Sequence, residues 1–498
     1  MCGIAAWIDW NGRSAADEVA RMTECISHRG PDGSGSTGSE GVTLGHRRLS
    51  IIDLSTKGAQ PMSRGDVTVT FNGEIYNYVE LRAELALKGH RFQSHSDTEI
   101  LLAAYEEWGT DCVQHFNGMW AFVLHDLRSG TVFASRDRFG EKPLLYLVRP
   151  SGVVLASEAR QFQVVGLGSE PNLDTLREFL VFGRRVSTEE TFVSGVRSVP
   201  PATNVLITLA TKTVAFAEYY TPGASTRYEG LDEDALLHEL DVQFRRSIQL
   251  RLRSDVQVGM LLSGGIDSSL VAAYAAPAIL ESTGKPLVAI TALSGDAAND
   301  ESKFARLAAE TVGAEWEPVS VSPEVTRDSW RESTRMIEQP LASSSNVMEL
   351  RVMERAAQAG LIVVLNGQGA DESWMGYERY AAAAIGELPW RRRAAFAHDS
   401  AKHSGLGLGT WLAQLVYFRA PELARLRSTR RLSAIGLDVD ANWYRARFRD
   451  TFGSSRGSML ARQRLEVMGE QLSSQLRYAD LTSMAFSVED RMPFLDHN

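Results

Sequence analysis

Cys2 stands directly behind the initiator, in the run Met1-Cys2-Gly3-Ile4. Loss of Met1 would leave a thiol and a free α-amino group on one residue, a nucleophile carrying its own base. The α-amino group titrates near roughly 7.7–8.0, so around neutral pH it can take the thiol proton. Many chains carry a cysteine at position 2 by chance, so its meaning depends on its companions. Cys25 and Cys112 have no CxxC or Cys/His partners and are expected to be buried, inert thiols.

A second chemistry is written in Ser263-Gly264-Gly265-Ile266-Asp267-Ser268-Ser269. Glycines let the backbone approach phosphate oxygens, and a helix start offers them unpaired N–H groups. The hydroxyls of Ser263, Ser268 and Ser269 can add hydrogen bonds, and Asp267 is a candidate Mg²⁺ ligand beside a triphosphate. No lysine follows the glycines, so a kinase-type loop is disfavoured and pyrophosphate binding is preferred over a plain Ser/Gly turn. Asn366-Gly367-Gln368-Gly369-Ala370-Asp371-Glu372 also follows an apolar run. Two strand ends bearing Gly-rich loops are where an open parallel sheet places its ligand. Asp371 and Glu372 are candidates for metal or pyrophosphate work. In Ser487-Val488-Glu489-Asp490-Arg491-Met492-Pro493-Phe494-Leu495-Asp496, a buried structural pair of Glu489 with Arg491 competes with a catalytic role.

These residues need two kinds of scaffold. Up to about residue 210, short β-rich runs at Val67–Asn72, Met119–His125, Thr131–Ser135, Val153–Ala156 and Thr203–Leu209 are bounded by turn residues. Helical stretches near Tyr78–Lys88 and Asp97–Trp108 interrupt them, which predicts an α+β domain built on packed sheets. Thr221-Pro222-Gly223-Ala224-Ser225-Thr226 reads as a linker. Beyond it, a helix from Asp232 carries Leu237, Leu240, Phe244 and Ile248 at helical spacing. Strands at Val256–Leu262, Leu287–Leu293 and Leu361–Leu365 alternate with helices at Ser269–Ala275, Glu301–Thr311 and Met348–Ala359. That alternation predicts an α/β domain with a parallel sheet covered by helices on both faces.

Length and composition fit this division. A chain of 498 residues suggests two or three domains, and 44% hydrophobic with 23% charged residues is globular. The formal charge of −10, from 52 basic and 62 acidic residues, argues against nucleic-acid binding. Three cysteines make no disulfide framework, which points to a reducing compartment and a cytoplasmic enzyme. No leader-like opening and no run of about 18 apolar residues is seen, so no membrane association is expected.

Taken together, the motifs resemble a known family. Cys2-Gly3-Ile4, His28-Arg29-Gly30-Pro31-Asp32, His46-Arg47-Arg48-Leu49-Ser50-Ile51-Ile52-Asp53, Asn72-Gly73-Glu74-Ile75-Tyr76-Asn77 and Ser96-Asp97-Thr98-Glu99 resemble a class II glutamine amidotransferase domain. Arg136-Asp137-Arg138-Phe139-Gly140-Glu141-Lys142-Pro143-Leu144 continues that match. Ser263–Ser269 and the two later segments resemble the synthetase half of glutamine-hydrolysing asparagine synthetases. The resemblance implies an Ntn-type sandwich over residues 1–210 and an ATP-pyrophosphatase domain over 228–498. It also implies that the synthetase half continues past Asn498, with a lysine in that stretch, so the domain reads as cut short at its C-terminus.

The family's roles follow the motifs. Cys2 would attack the glutamine side-chain amide, with the Asn72 amide and the Gly73 N–H as oxyanion hole. Arg48 would pair with the α-carboxylate, Leu49 and Ile52 would line the glutamine site, and Asp97 with the loop at Glu74 would hold the α-ammonium. The competing structural readings are a hairpin turn at Asn72-Gly73 and a helix cap at Asp97. ATP would lie around Leu261, Ser263, Gly264, Gly265, Asp267, Ser268, Thr291, Asn366, Gly367, Gln368 and Asp371, with Mg²⁺ on Asp267 and Asp371. A carboxylate would be activated as acyl-adenylate, and ammonia would pass to it through a closed channel. The acceptor is aspartate or another acid, such as a sugar acid or biosynthetic intermediate. The second alternative follows from Gln368, which stands where the family carries a glutamate. A non-catalytic glutamine or nucleotide sensor is the reading from a different class, and a homodimer is an open assembly. Amino-sugar amidotransferases would not need Ser263–Ser269, and GMP or NAD synthetases would not need Cys2.

Overall fold

The computed structural model describes residues 2–183, 185, 187–223, 227–294, 300–377, 380–403, 409, 413, 440–452 and 459–498. Met1, the Ala224-Ser225-Thr226 part of the expected linker and the segment between 413 and 440 lie outside the described residues. The chain divides into two compact units. One comprises Met1–Pro171, Thr191–Gln368 and Gln475–Asn498; the other comprises Asn172–Glu190 and Gly369–Ser474.

The first unit holds three sheets. One six-stranded sheet runs, in spatial order, Arg197–Ser198, Leu145–Arg149, Gly152–Ala156, Gly3–Asp9, Val42–Arg48, Gly33–Ser39. A second runs Thr213–Glu218, Thr203–Thr208, Thr131–Arg136, Gly118–Asp126, Val67–Ile75, Met62–Arg64. Every pairing in both is antiparallel. The two-residue period of a strand explains their packing. Within Gly118–Asp126, Trp120, Phe122 and Leu124 join the core beneath the Tyr78–Leu87 and Asp97–Trp108 helices. Ala121 and Val123 turn the other way and meet Ile4, Ala6 and Ile8 of the first sheet. Val19, Met22 and Phe162 from helices cover that sheet's outer face. The result is the expected sandwich of two sheets with helices outside. A strand buried on both faces is continuously apolar, which is why the run at 119–124 is so legible.

The third sheet has five strands, all parallel, in the order Glu315–Val321, Val288–Ser294, Val258–Leu261, Val363–Leu365, Glu489–Arg491. The three apolar inner strands match the expected ones, and both edge strands are additional. Glu315–Val321 and Glu489–Arg491 carry charge where an inner strand would carry Val or Ile, so pattern alone hides them. The Glu233–Arg251 helix begins at Asp232, whose side chain accepts from Ala235 N–H at 2.9 Å. Its expected apolar stripe is only half buried: Phe244 and Ile248 are inside, whereas Leu237 is 56% exposed.

Chain order reverses between Val258–Leu261 and Val363–Leu365, and ligands of such sheets bind outside the carboxyl ends at that switch point. Both Gly-rich loops leave the sheet there. A shared apolar cluster of Leu49, Ile51, Ile52, Tyr76 and Met119 with Leu250, Val363 and Met484 joins the sandwich to this sheet.

Candidate active site

Cys2 immediately precedes the Gly3–Asp9 strand and is 8% exposed. Burial is the main influence on its thiol and pushes it up, so at rest the sulfur holds its proton. The Cys2 N–H donates to Asn72 Oδ1 at 2.9 Å. Asn72 is fully buried, and its Nδ2 has no hydrogen-bond partner. A buried amide donor left unpaired costs stability unless something else claims it. An oxyanion forming on a substrate carbonyl beside Cys2 is such a claimant.

Asn72-Gly73 is not a hairpin turn. Both residues lie inside the Val67–Ile75 strand, paired with Ala121 and Trp120. Gly73 has φ +150°, and a Cβ there would come within 2.1 Å of the Met119 carbonyl oxygen. Close approach of the neighbouring strand therefore requires glycine. Glu74 lies in the same strand rather than in a loop.

Asp97 does not cap its helix either. Ser96 does, accepting from Thr98 N–H at 3.0 Å, while Asp97 Oδ2 accepts from Ile75 N–H at 3.0 Å. Burial raises the Asp97 carboxyl to about 7, and burial beside Asp97 and Glu489 holds Glu74 well above the carboxylate range. Arrival of a cation such as an α-ammonium would favour ionisation of both.

Arg48 is half-buried and points into the loop that follows it, donating to the carbonyls of Asp53 and Ser55. Gly58 makes room for the guanidinium, because a Cβ there would meet Arg48 Nη2 at 2.2 Å. Leu49 and Ile52 are buried in the cluster that joins the sandwich to the parallel sheet. The Leu49 carbonyl lies 3.8 Å from Cys2 Sγ.

Several supporting residues carry no legible role in the sequence. Arg29, fully buried, donates through Nε to the Cys2 carbonyl at 3.0 Å and grips Asp480 with two bonds of 2.9 and 3.1 Å. It also bonds Glu158 at 2.9 Å. The charged run after Arg136 is a loop staple, with Asp137 accepting four N–H bonds from Trp120, Phe139, Glu141 and Lys142. Cys112 is buried as expected, but Cys25 is only half-buried, its thiol hydrogen-bonded to the Met22 carbonyl.

In the second region, the Ile266–Thr283 helix starts three residues earlier than the sequence suggests. Gly265 supplies no side-chain cap, so the first N–H groups stay available to an anion. Ser263 and Ser268 hydroxyls lie 3.0 Å apart, and Ser263 Oγ accepts from Gly265 N–H at 3.2 Å, which shapes the turn. Gly264 has φ +91°, and a Cβ would meet Ala305 N at 2.6 Å. Gly367 packs on the helix start, with its missing Cβ 3.1 Å from Ser268 N, so the structure brings the two Gly-rich loops together. Asn366 Oδ1 accepts from Gln368 N–H at 3.2 Å.

Leu261 ends its strand opposite Ile290. The buried Thr291 hydroxyl donates to the Leu262 carbonyl at 2.7 Å and accepts from the Trp316 indole at 3.0 Å. Thr291 therefore fixes the strands, leaving its backbone rather than its hydroxyl for a ligand. Asp267 is half-buried in the first turn of its helix. Asp371 and Glu372 belong to the second unit, in the Ala370–Trp374 helix, where Tyr377 donates to Glu372 at 2.6 Å. Among the described residues, no group of three or more His, Cys, Asp or Glu is gathered for a metal.

Residues 1–220 match the glutamine amidotransferase domain family, and residues 239–498 match the asparagine synthase family. Asparagine synthetase [glutamine-hydrolyzing] 1 of Bacillus subtilis is 33% identical over 386 residues, covering 76% of this chain and 59% of the relative. Asparagine synthetase [glutamine-hydrolyzing] 3 of the same organism is 30% identical, covering 79% of this chain and 66% of the relative. Amidase chyE of Penicillium rubens is 28% identical over 551 residues, covering 100% of this chain and 81% of the relative. The chain thus spans less than two thirds of the length of the two synthetases. With both domain matches in chain order and the asparagine synthase match covering more than half its length, the chain belongs to the asparagine synthase family.

Proposed function

We propose that the chain is a glutamine-dependent, ATP-driven amide synthetase. The observation that carries it is the buried, unpartnered Asn72 Nδ2 beside a Cys2 whose N–H is held by the same side chain. Cys2 sulfur attacks the glutamine amide carbon as its thiol proton passes to the α-amino group freed by loss of Met1. The oxyanion is met by Asn72 Nδ2 and Gly73 N–H, and on collapse the amide nitrogen takes that proton and leaves as ammonia, giving a thioester that water hydrolyses to glutamate. Once Met1 is removed, the nitrogen held by Asn72 is the α-amino base. Arg48 receives the α-carboxylate, and Glu74 with Asp97 receives the α-ammonium.

At the switch point, the uncapped helix start and the two Gly-rich loops hold the phosphates of ATP. Asp267 would hold a Mg²⁺ that comes with ATP, since that ion takes one or two carboxylates and keeps its other ligands from phosphates and water. When bound, the ion would supply charge neutralisation to the triphosphate. A carboxylate oxygen attacks the α-phosphorus, pyrophosphate departs, and ammonia then displaces AMP from the acyl-adenylate. Product analysis tests this: AMP and pyrophosphate are expected, and ADP with orthophosphate as direct products would overturn it.

Aspartate is the acceptor that the asparagine synthetase relatives support, and two observations support another carboxylate as the alternative. Gln368 cannot carry charge or act as a base. Removing one charge repulsion at about 4 Å, with an effective dielectric of 20, is worth up to roughly 4 kcal/mol before screening. A fungal amidase aligns with the whole chain. The three free cysteines support a reducing, cytoplasmic setting.

A further inference from the structure

Glu489–Arg491 is only three residues long, yet its alternating side chains face both sites. On one face, Arg491 Nε donates to Glu489 Oε1 at 2.6 Å, and Arg491 Nη2 stands 3.8 Å from Glu74 Oε1. Arg491 is fully buried, and its Nη1 is fixed by the carbonyls of Arg251 and Arg253, both at 2.7 Å. Its guanidinium also lies 5.4 Å from the centre of the Tyr76 ring. It therefore cannot swing away from Glu74 without breaking backbone contacts.

On the opposite face, Asp490 Oδ2 accepts from Asn366 Nδ2 at 2.9 Å, and the Arg491 carbonyl accepts from Asn366 N–H at 2.9 Å. Asn366 in turn holds Gln368 N–H. The strand's own register, Asp490 against Val364 and Arg491 against Leu365, fixes both sets of contacts at once.

We infer that Arg491 and Asp490 are positioning residues for two different sites. Arg491 holds and electrostatically balances Glu74 for the α-ammonium of glutamine. Asp490 sets Asn366, and through it the Gly367–Gln368 backbone, for the phosphates of ATP. This rests on the reading of the two sites given above. Neither residue touches a reacting atom, and each acts through the neighbour it orients.

The test uses the full chain and two independent readouts: steady-state glutamate release, and calorimetric binding of Mg²⁺-ATP. Arg491→Met is expected to raise KM for glutamine by about tenfold with kcat held, the signature of lost uniform binding, and to leave ATP affinity unchanged. Arg491→Lys returns the charge without the planar fork and is expected to recover much of that loss. Asp490→Asn is expected to weaken ATP binding by about tenfold and to leave KM for glutamine unchanged. Should Arg491→Met not fold, Arg491→Lys carries the same KM-against-kcat test, with a rise of about threefold. If each variant shifts both readouts together, or Arg491 variants lower kcat with KM unchanged, the inference is overturned. Wild-type chain that hydrolyses glutamine at Cys2 and binds ATP establishes the underlying reading first, so the two failures are distinguishable.

Discussion

Asn72→Ala separates catalysis from stability at one residue. The substitution removes two things: the Oδ1 that accepts from Cys2 N–H at 2.9 Å, and the unpartnered Nδ2. Stripping the acceptor leaves a buried N–H unpaired, at a cost of about 1–3 kcal/mol. Deleting the unpaired donor relieves a penalty of the same kind and roughly the same size, also about 1–3 kcal/mol. The two nearly cancel, so the folded state should change little. The transition state has no such compensation: loss of one oxyanion donor lowers kcat by roughly 10²–10³, or about 2.7–4 kcal/mol. Glutamate release at saturating glutamine, measured beside a thermal melt, reads both quantities. Asn72→Asp preserves shape but puts an acceptor where the donor was, and should lose at least as much. An Asn72→Ala protein retaining more than about a tenth of wild-type kcat would refute the oxyanion role.

The Asp267→Asn variant should weaken use of Mg²⁺-ATP while leaving glutamine hydrolysis intact, read by ATP titration at fixed glutamine; equal loss of both activities contradicts it. In a competition assay with full-length protein, glutamine and Mg²⁺-ATP, aspartate should be outcompeted by another carboxylate; efficient asparagine formation undiminished by other acids shows Gln368 to be a tolerated variant. Glu158 and Asp496 should lose their contributions to stability in acid. Burial alone would raise both, but His28, Arg29 and Arg160 hold Glu158 at about 2, and Arg251 and Asn117 hold Asp496 at about 2. Both folded values lie below the ordinary ones, so this stability is present above about pH 4.5 and is lost as pH falls toward 2, at about 3 kcal/mol for Glu158. Glu349 and Asp490, raised by burial to about 8 and about 7, run the other way: their cost to the folded state falls as pH drops toward the ordinary carboxylate values near 4, which offsets part of that loss. The comparison with Glu158→Gln isolates the term: the wild-type advantage in urea midpoint at pH 5 should shrink by about pH 3, and an advantage equal at both would contradict this assignment.

What the sequence makes legible follows from what physics writes locally. Strands buried on both faces give unbroken apolar runs, so 119–124 and the inner parallel strands are readable. The Gly-rich loops are readable because close backbone approach leaves no room for a side chain. Edge strands are not: Glu489–Arg491 is charged because its side chains pair with buried polar groups on both faces, and its pairing with Val363–Leu365 is set by contacts more than a hundred residues away. Asn72-Gly73 looks like a turn by local preference, but pairing with Ala121 and Trp120 overrides it. Arg29 is quotable from its motif, yet its grip on Asp480 is a long-range fact. The stripe on the Glu233–Arg251 helix shows the converse, since helical spacing marks Leu237 for a core that it does not enter.

The most direct test of the account is Cys2→Ala in the full-length chain, assayed with glutamine and, separately, with an ammonium salt. The account predicts no glutamate release from glutamine, together with retained AMP and pyrophosphate formation when ammonia and an accepted carboxylate are supplied. Normal glutamine hydrolysis by Cys2→Ala would show that Cys2 is not the nucleophile, and the proposed mechanism would fall with it.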